Sequence, residues 1–244
     1  MNLIDKIHFF HRVYRYRYRT EKTQLNNLKY LDLDSQTVID VGANKGIYVY
    51  WLAKKVGLKG SVIAFEPQPE LIQEIRDICR WQNFTQVTTV SKGVSSKEGY
   101  LNLSRRNVGD GSATLEKKHH LITNHQSIQV PVVTLDSFFC SNKLKNLKFL
   151  KIDTEGHEYD VIKGGLNMIK TFKPFVQVEV SCPSSGNTHA IIEILKDIGY
   201  QGKVMLDGGQ TPDIDYLNQI PSPKFGFKGH RDLFFYFLPG NKSG

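Results

Sequence analysis

The 244-residue sequence predicts an α/β domain built on a parallel sheet. Three observations carry this. A β-branched run at 38–41 ends in Asp40-Val41 and a glycine turn, Gly42-Ala43-Asn44-Lys45-Gly46. A second apolar run at 61–65 ends in Glu66-Pro67, twenty residues after Gly46. Further apolar runs recur downstream with helical patterns between them, the alternation of βαβ units.

In chain order, Leu3, Ile4, Ile7 and Phe10 with Lys6 have helical spacing and predict a leader helix over 3–12. Main-sheet strands are expected at 38–41, 61–65, 86–90, 149–152, 175–180 and 233–238. Helices are expected over about 46–56, 69–82, 158–170 and 187–198. Segments 97–103 and 128–133 read as a hairpin outside the main sheet, with Gly99, Gly109 and Gly111 marking turns. Residues 201–230 are expected to form a loop before the final strand. No repeat or low-complexity linker interrupts the chain, which predicts an arm over 1–30 and one domain over 31–244.

Hydrophobic content of 40% and charged content of 23% allow a sizeable core. No apolar run approaches the roughly 18 residues that span a bilayer, and no signal-peptide core is visible. Cys79, Cys140 and Cys182 form no CxxC pair, which argues for a reducing compartment and against structural zinc. A cytoplasmic protein is expected, with a membrane-peripheral location left open. The net charge of +8 is concentrated early: residues 1–30 carry seven Lys/Arg against Asp5 and Glu21, a net +5. Within residues 8–22, His11 to Arg19 alternates aromatic and basic side chains. Three readings stand: a solvated arm, a peripheral contact with anionic lipid or a charged glycan, and nucleic-acid binding. No RNP, zinc-finger or KH pattern supports the last, so no nucleic acid is expected.

The glycine turn identifies the cofactor expected. Its GxxxG spacing is neither the GxGxxG that packs a pyrophosphate nor the GxxxxGK[ST] that cradles a triphosphate. Asp40 beside it would repel phosphate but suits the sulfonium and ammonium of S-adenosylmethionine, while Glu66 is placed for ribose hydroxyls. Ligands of open sheets lie beyond the carboxyl ends of the strands. There the chain has Asp40, Glu66, Ser91 to Gly93, Asp153-Thr154-Glu155-Gly156-His157-Glu158, and Glu179 to Cys182. A hydroxyl acceptor needs its proton removed, and His157 or Glu155 is the expected general base. Asp153 has the alternative reading of a cap on the next helix. Asp153, Glu155 and His157 lack a second histidine at ligand spacing, so no metal is expected.

Four motifs in order (Asp40-Val41-Gly42-Ala43-Asn44-x-Gly46, Phe65-Glu66-Pro67-x-Pro69, Thr134-Leu135-Asp136 and Lys151-Ile152-Asp153-x-Glu155-Gly156-x-Glu158) resemble the FkbM-type S-adenosylmethionine-dependent methyltransferases over about residues 36–181. The resemblance implies a Rossmann-like class I methyltransferase fold: a mostly parallel seven-stranded sheet, helices on both faces and an antiparallel last strand. It implies O-methylation of sugars, glycans or related metabolites, with carboxyl methylation in some members. By position, Asp40, Gly42, Asn44 and Gly46 resemble the methionine-side loop. Glu66 with Pro67 resembles the ribose site, and Asp153, Glu155 and His157 resemble the reaction face. Gly93 and the Asp110-Gly111-Ser112 turn are expected beside the cofactor, and Glu179 beside the acceptor. The helix after Glu66 ends Cys79-Arg80-Trp81-Gln82-Asn83 and departs from the family's Leu-rich ending. The rival expectation is a non-catalytic protein that keeps the fold and acts through its basic arm. A homodimer stays open.

Overall fold

The computed structural model describes residues 3–116, 125–180, 185–206, 209–219 and 231–237. The chain begins with helix α1 (Leu3–Arg15), a π-helical turn (Tyr16–Thr20) and α2 (Lys22–Asn27). A βαβαβ half follows: β1 (Thr37–Val41), α3 (Ile47–Val56), β2 (Ser61–Phe65), α4 (Pro69–Gln82) and β3 (Val87–Val90). Strands β4 (Gly93–Val94), β5 (Gly99–Arg105) and β6 (Gln126–Val133) form a separate sheet in the order β4-β6-β5, with β5 and β6 antiparallel. The second half runs α5 (Leu135–Asn142), β7 (Phe149–Ile152), α6 (Glu158–Lys163), α7 (Leu166–Phe172), β8 (Phe175–Val180), α8 (Gly186–Asp197) and β9 (Tyr200–Met205). A 3-10 segment (Ile214–Gln219) precedes β10 (Arg231–Phe237).

The main sheet has seven strands in the order β3-β2-β1-β7-β8-β10-β9. Only β10 is antiparallel to its neighbours, Leu233 standing opposite both Val178 and Val204. The central strands read as continuous apolar runs because helices cover both faces. Val38 packs with Leu52, Val62 and Phe149 on one side, whereas Ile39 and Val41 pack with Phe65, Ile152 and Val178 on the other. From β1 the chain winds out to β3 and then returns to β7 on the opposite side. The crevice beyond β1 and β7 is therefore the topological switch point where such sheets hold ligands.

Four local expectations are corrected. Residues 200–205 form β9, not loop. The helix expected over 158–170 is two helices, broken at Gly164-Gly165, where the backbone runs so close to the 95–96 segment that a Cβ on Gly164 would lie 2.1 Å from the Ser95 carbonyl oxygen. Helix α5 stands where no helix is expected. The leader helix runs on to Arg15 and into the π-helical turn. Parts of the expected 201–230 loop lie outside the described residues.

The first helix is not wholly solvated. Phe9 and Val13 are buried against Ile47, Tyr50 and Ile78, each burial worth about 1.5–3 kcal/mol. Arg12 pairs with Glu74 of α4. No helix among the described residues is long and apolar enough to cross a membrane. Cys79 and Cys140 are free thiols, and Cys182 lies outside the described residues.

Candidate active site

A cavity of about 1470 Å³ opens at the switch point, floored by the ends of β1, β2, β7 and β8 and walled by the 106–116 segment and the N-terminal helices. Gly42 makes the floor possible. With φ +83°, it brings the β1 turn so close to β7 that a Cβ would lie 1.8 Å from the Asp153 carbonyl oxygen. Asn44 takes a left-handed φ of 47°. Its amide donates to Glu66 Oε2 at 2.9 Å, and the Gln68 amide donates to Glu66 Oε1 at 2.9 Å. Burial nevertheless pushes the Glu66 carboxyl up to about 7 against those two donors.

Asp40 is completely buried with its Oδ1 3.6 Å from Lys151 Nζ, and among the described residues neither of its oxygens has a hydrogen-bond partner. Asn44 Oδ1 is likewise buried and unpartnered among them. Buried polar atoms are normally satisfied. Acceptor oxygens of a carboxylate and an amide, on residues lining the same cavity, are an acceptor set that a cationic, hydroxyl-bearing ligand would complete. S-adenosylmethionine fits: Asp40 suits its charged end, and Glu66 its ribose. Of the remaining cofactor-loop residues, Pro67, Gly93 and Ser112 line the cavity, but Gly46 does not. Gly46 is the left-handed N-cap of α3, its missing side chain packed toward Ile75.

The reaction face holds more ionisable groups than Asp153, Glu155 and Glu179. Lys151 Nζ lies 3.0 Å from Asp153 Oδ2 and 4.5 Å from the centre of the Tyr48 ring. Burial opposes its charge, but Asp153, Asp40 and Glu21 outweigh burial and hold the ammonium above its ordinary range. Glu179 hydrogen-bonds with Asp153, and repulsion from Asp153 together with burial raises its carboxyl strongly. Gln177 Nε2 donates to the Tyr48 hydroxyl at 2.9 Å and to Asp232 Oδ1 at 3.1 Å, and Tyr48 donates onward to Glu21. Glu21, from the N-terminal segment, also lines the cavity, and burial raises it to about 8.

Glu155 lines the cavity at a left-handed φ of 55°. Burial, then the charges of Asp153 and Glu158, push it up to about 7. Glu158 builds the turn: its Oε1 accepts from the Thr154 and Gly156 amides at 3.0 and 2.9 Å. On the 106–116 segment, burial would raise Asp110, but Arg106 and the amides of Arg106 and Ser112 hold it down at about 2. Gln68 Nε2 donates to the Asp110 carbonyl at 3.0 Å, tying that wall to the Glu66 turn.

His157 is not brought to the cavity. Gly156 (φ +107°) turns the chain away, and the imidazole is buried between Glu116 Oε1 (2.8 Å from Nδ1) and Ser95 Oγ (2.9 Å from Nε2). With both nitrogens engaged, His157 is a structural clamp between α6, the 106–116 wall and the end of β4. Its replacement by Ala is expected to lower stability by about 1–3 kcal/mol while leaving turnover within a few fold. Thermal melts and initial rates check this; a hundredfold loss of rate with an unchanged melt would return His157 to the chemistry.

Comparison with known proteins adds four findings. The model of the methyltransferase FkbM domain matches residues 40–201. The chain is 24% identical over 197 residues to Methyltransferase 1 of Beauveria bassiana, covering 74% of this chain and 78% of that protein. It is 27% identical over 141 residues to the hexuronic acid methyltransferase AglP of Haloferax volcanii, covering 58% of this chain and 54% of that one. The crystal structure of methyltransferase FkbM from Methylobacillus flagellatus superposes with a TM-score of 0.53 at 16% identity, covering 84% of this chain and 45% of that chain. This chain thus spans about half the length of the last two relatives, and the structural likeness concerns the fold.

Proposed function

This chain belongs to the FkbM methyltransferase family, and from that premise we propose that it transfers the methyl group of S-adenosylmethionine to a hydroxyl of an acidic saccharide. One observation carries the reading: the cavity is lined by carboxyl groups at its floor and by exposed cations at its rim. Asp40, Asp153 and Glu179 line the floor, whereas exposed Arg19, Lys92 and Arg106 line the mouth. A sulfonium suits the first and a uronate carboxylate the second. The Haloferax relative, a hexuronic acid methyltransferase, supports the same acceptor class.

S-adenosylmethionine supplies an electrophilic methyl group and leaves as a neutral thioether. The protein's own work is alignment and removal of one proton. Asp40, Asn44 and Glu66 hold the donor end. Glu155 takes the acceptor hydroxyl proton as the oxygen–carbon bond forms. Its raised carboxyl, near 7, leaves a large ionised fraction at neutral pH and a basicity matched to that task.

The test is Glu155→Gln, assayed with uronic-acid and neutral saccharides, alongside calorimetry with S-adenosylmethionine. Turnover is expected to fall about 10²-fold or more with donor affinity kept within a few fold. Wild-type turnover in the variant removes Glu155 as base, and equal turnover of neutral saccharides removes the acidic acceptor.

A further inference from the structure

We propose that the outer face of α1 and the π-helical turn docks this protein on an anionic lipid surface, bringing the cavity mouth to lipid-borne acceptors; the acceptor half of this inference rests on the methyltransferase reading above.

The helix has two apolar faces and the domain uses only one. Phe9 and Val13 are packed inward. Leu3, Ile4, Ile7, Tyr14 and Tyr18 are 52–73% exposed, half of the ten large hydrophobic residues that are exposed among the described residues. The other five (Tyr30, Leu58, Tyr100, Val108 and Tyr216) are scattered singly, which is normal for a soluble surface. Five gathered on one side of a single helical segment are not normal and mark an interaction face. At 100° per residue, Leu3, Ile4, Ile7 and Tyr14 fall, with the exposed His11 among them, within an arc of about 100°, the width of an interfacial helix's apolar side.

Charge selects the occupant. His8, Arg15 and Arg19 run along one edge of the stripe and are exposed. The Tyr14 and Tyr18 rings stack at 6.2 Å and 3°, and with His11, Arg15 and Arg19 they line a shallow cleft of about 350 Å³ that includes no acidic residue. Two guanidinium groups beside paired tyrosines match a phosphate headgroup lying under an acyl layer. A second copy laid on the stripe would set cation against cation along that edge. A nucleic acid would leave Leu3, Ile4 and Ile7 in water. Arg19 also lines the catalytic cavity, so the cleft and the cavity share a wall.

Co-sedimentation of the full chain with phosphatidylglycerol-rich vesicles, against vesicles of phosphatidylcholine alone, tests the proposal. Binding is expected only to the anionic vesicles, weakening with salt. It is expected to drop about tenfold or more in Ile4→Glu/Ile7→Glu and in Arg15→Glu, and to persist in Tyr100→Glu on β5. If Ile4→Glu/Ile7→Glu melts early, Arg15→Glu on the exposed cleft edge decides. Equal binding to phosphatidylcholine vesicles, or binding indifferent to these variants, overturns the proposal. So does a dimer in sedimentation velocity that Ile4→Glu/Ile7→Glu dissociates without any vesicle binding. Donor calorimetry without vesicles reports on the methyltransferase reading alone, so the two failures are distinguishable.

Discussion

Gly42→Ala is expected to abolish donor binding and to lower stability by about 3 kcal/mol or more, in the range reserved for steric and backbone failures. The new methyl would overlap the Asp153 carbonyl oxygen at 1.8 Å and its carbon at 2.9 Å, in a backbone that already demands φ +83°. Neither side can retreat cheaply. The Gly42 amide donates to the Phe65 carbonyl at 3.0 Å, and the Asp153 amide donates to the Val41 carbonyl at 3.0 Å. Relief would require β1 and β7 to part at the point where the donor turn meets the reaction face. Gly99→Ala is the contrast. Its φ of +140° carries backbone strain, but a methyl there meets nothing within 4 Å, so a loss of about 1–2 kcal/mol with donor binding intact is expected. Thermal melts and calorimetry on the pair separate collision from strain, and a Gly42→Ala protein with native melt and affinity would refute the collision.

The parts legible in the sequence are those whose signal is local. Asp40 stands one residue before the end of an apolar run and Glu66 and Asp153 each follow one, so strand and acid announce one another, and all three line the cavity. Strand β9 hides because Gly202 interrupts it. That glycine is required by packing, since a Cβ would press on Ile214 and Phe235 at 2.8–3.0 Å, and only pairing with β10 reveals the strand. Helix α5 is short and poor in strong helix formers, held by the Thr134 cap on the Ser137 amide. His157 misleads for a related reason: adjacency to Asp153 along the chain does not survive the left-handed turn at Gly156. Lys151, Tyr48, Gln177, Asp232 and Glu21 come from five separate segments. No spacing could have joined them, although Lys151 stands within a motif already read for its acids.

That assembly around Lys151 carries the other large expectation. Lys151→Met is expected to cost about 3–5 kcal/mol at pH 8, the range for removing one partner of a buried charge cluster. Methionine fills a similar volume, so the loss is electrostatic: Asp40, Asp153 and Glu21 would face one another with no ammonium between them. The pH dependence follows from the direction of each shift. Lys151 is held above its ordinary value, so in the native protein its contribution is complete at neutral pH and is lost only as pH rises through that raised value. The carboxyls of Asp40, Glu21 and Glu179 are also raised. The folded state therefore holds protons that the unfolded chain has released above about pH 4.5, and these groups lose stability as pH rises. Without Lys151 they move further up, so the deficit of the variant is expected to shrink by about half or more at pH 5, where protons taken up by these carboxyls relieve their mutual repulsion. Urea unfolding at the two pH values reads this directly. A deficit independent of pH would mean that Lys151 acts through its packing on Tyr48 and not through its charge.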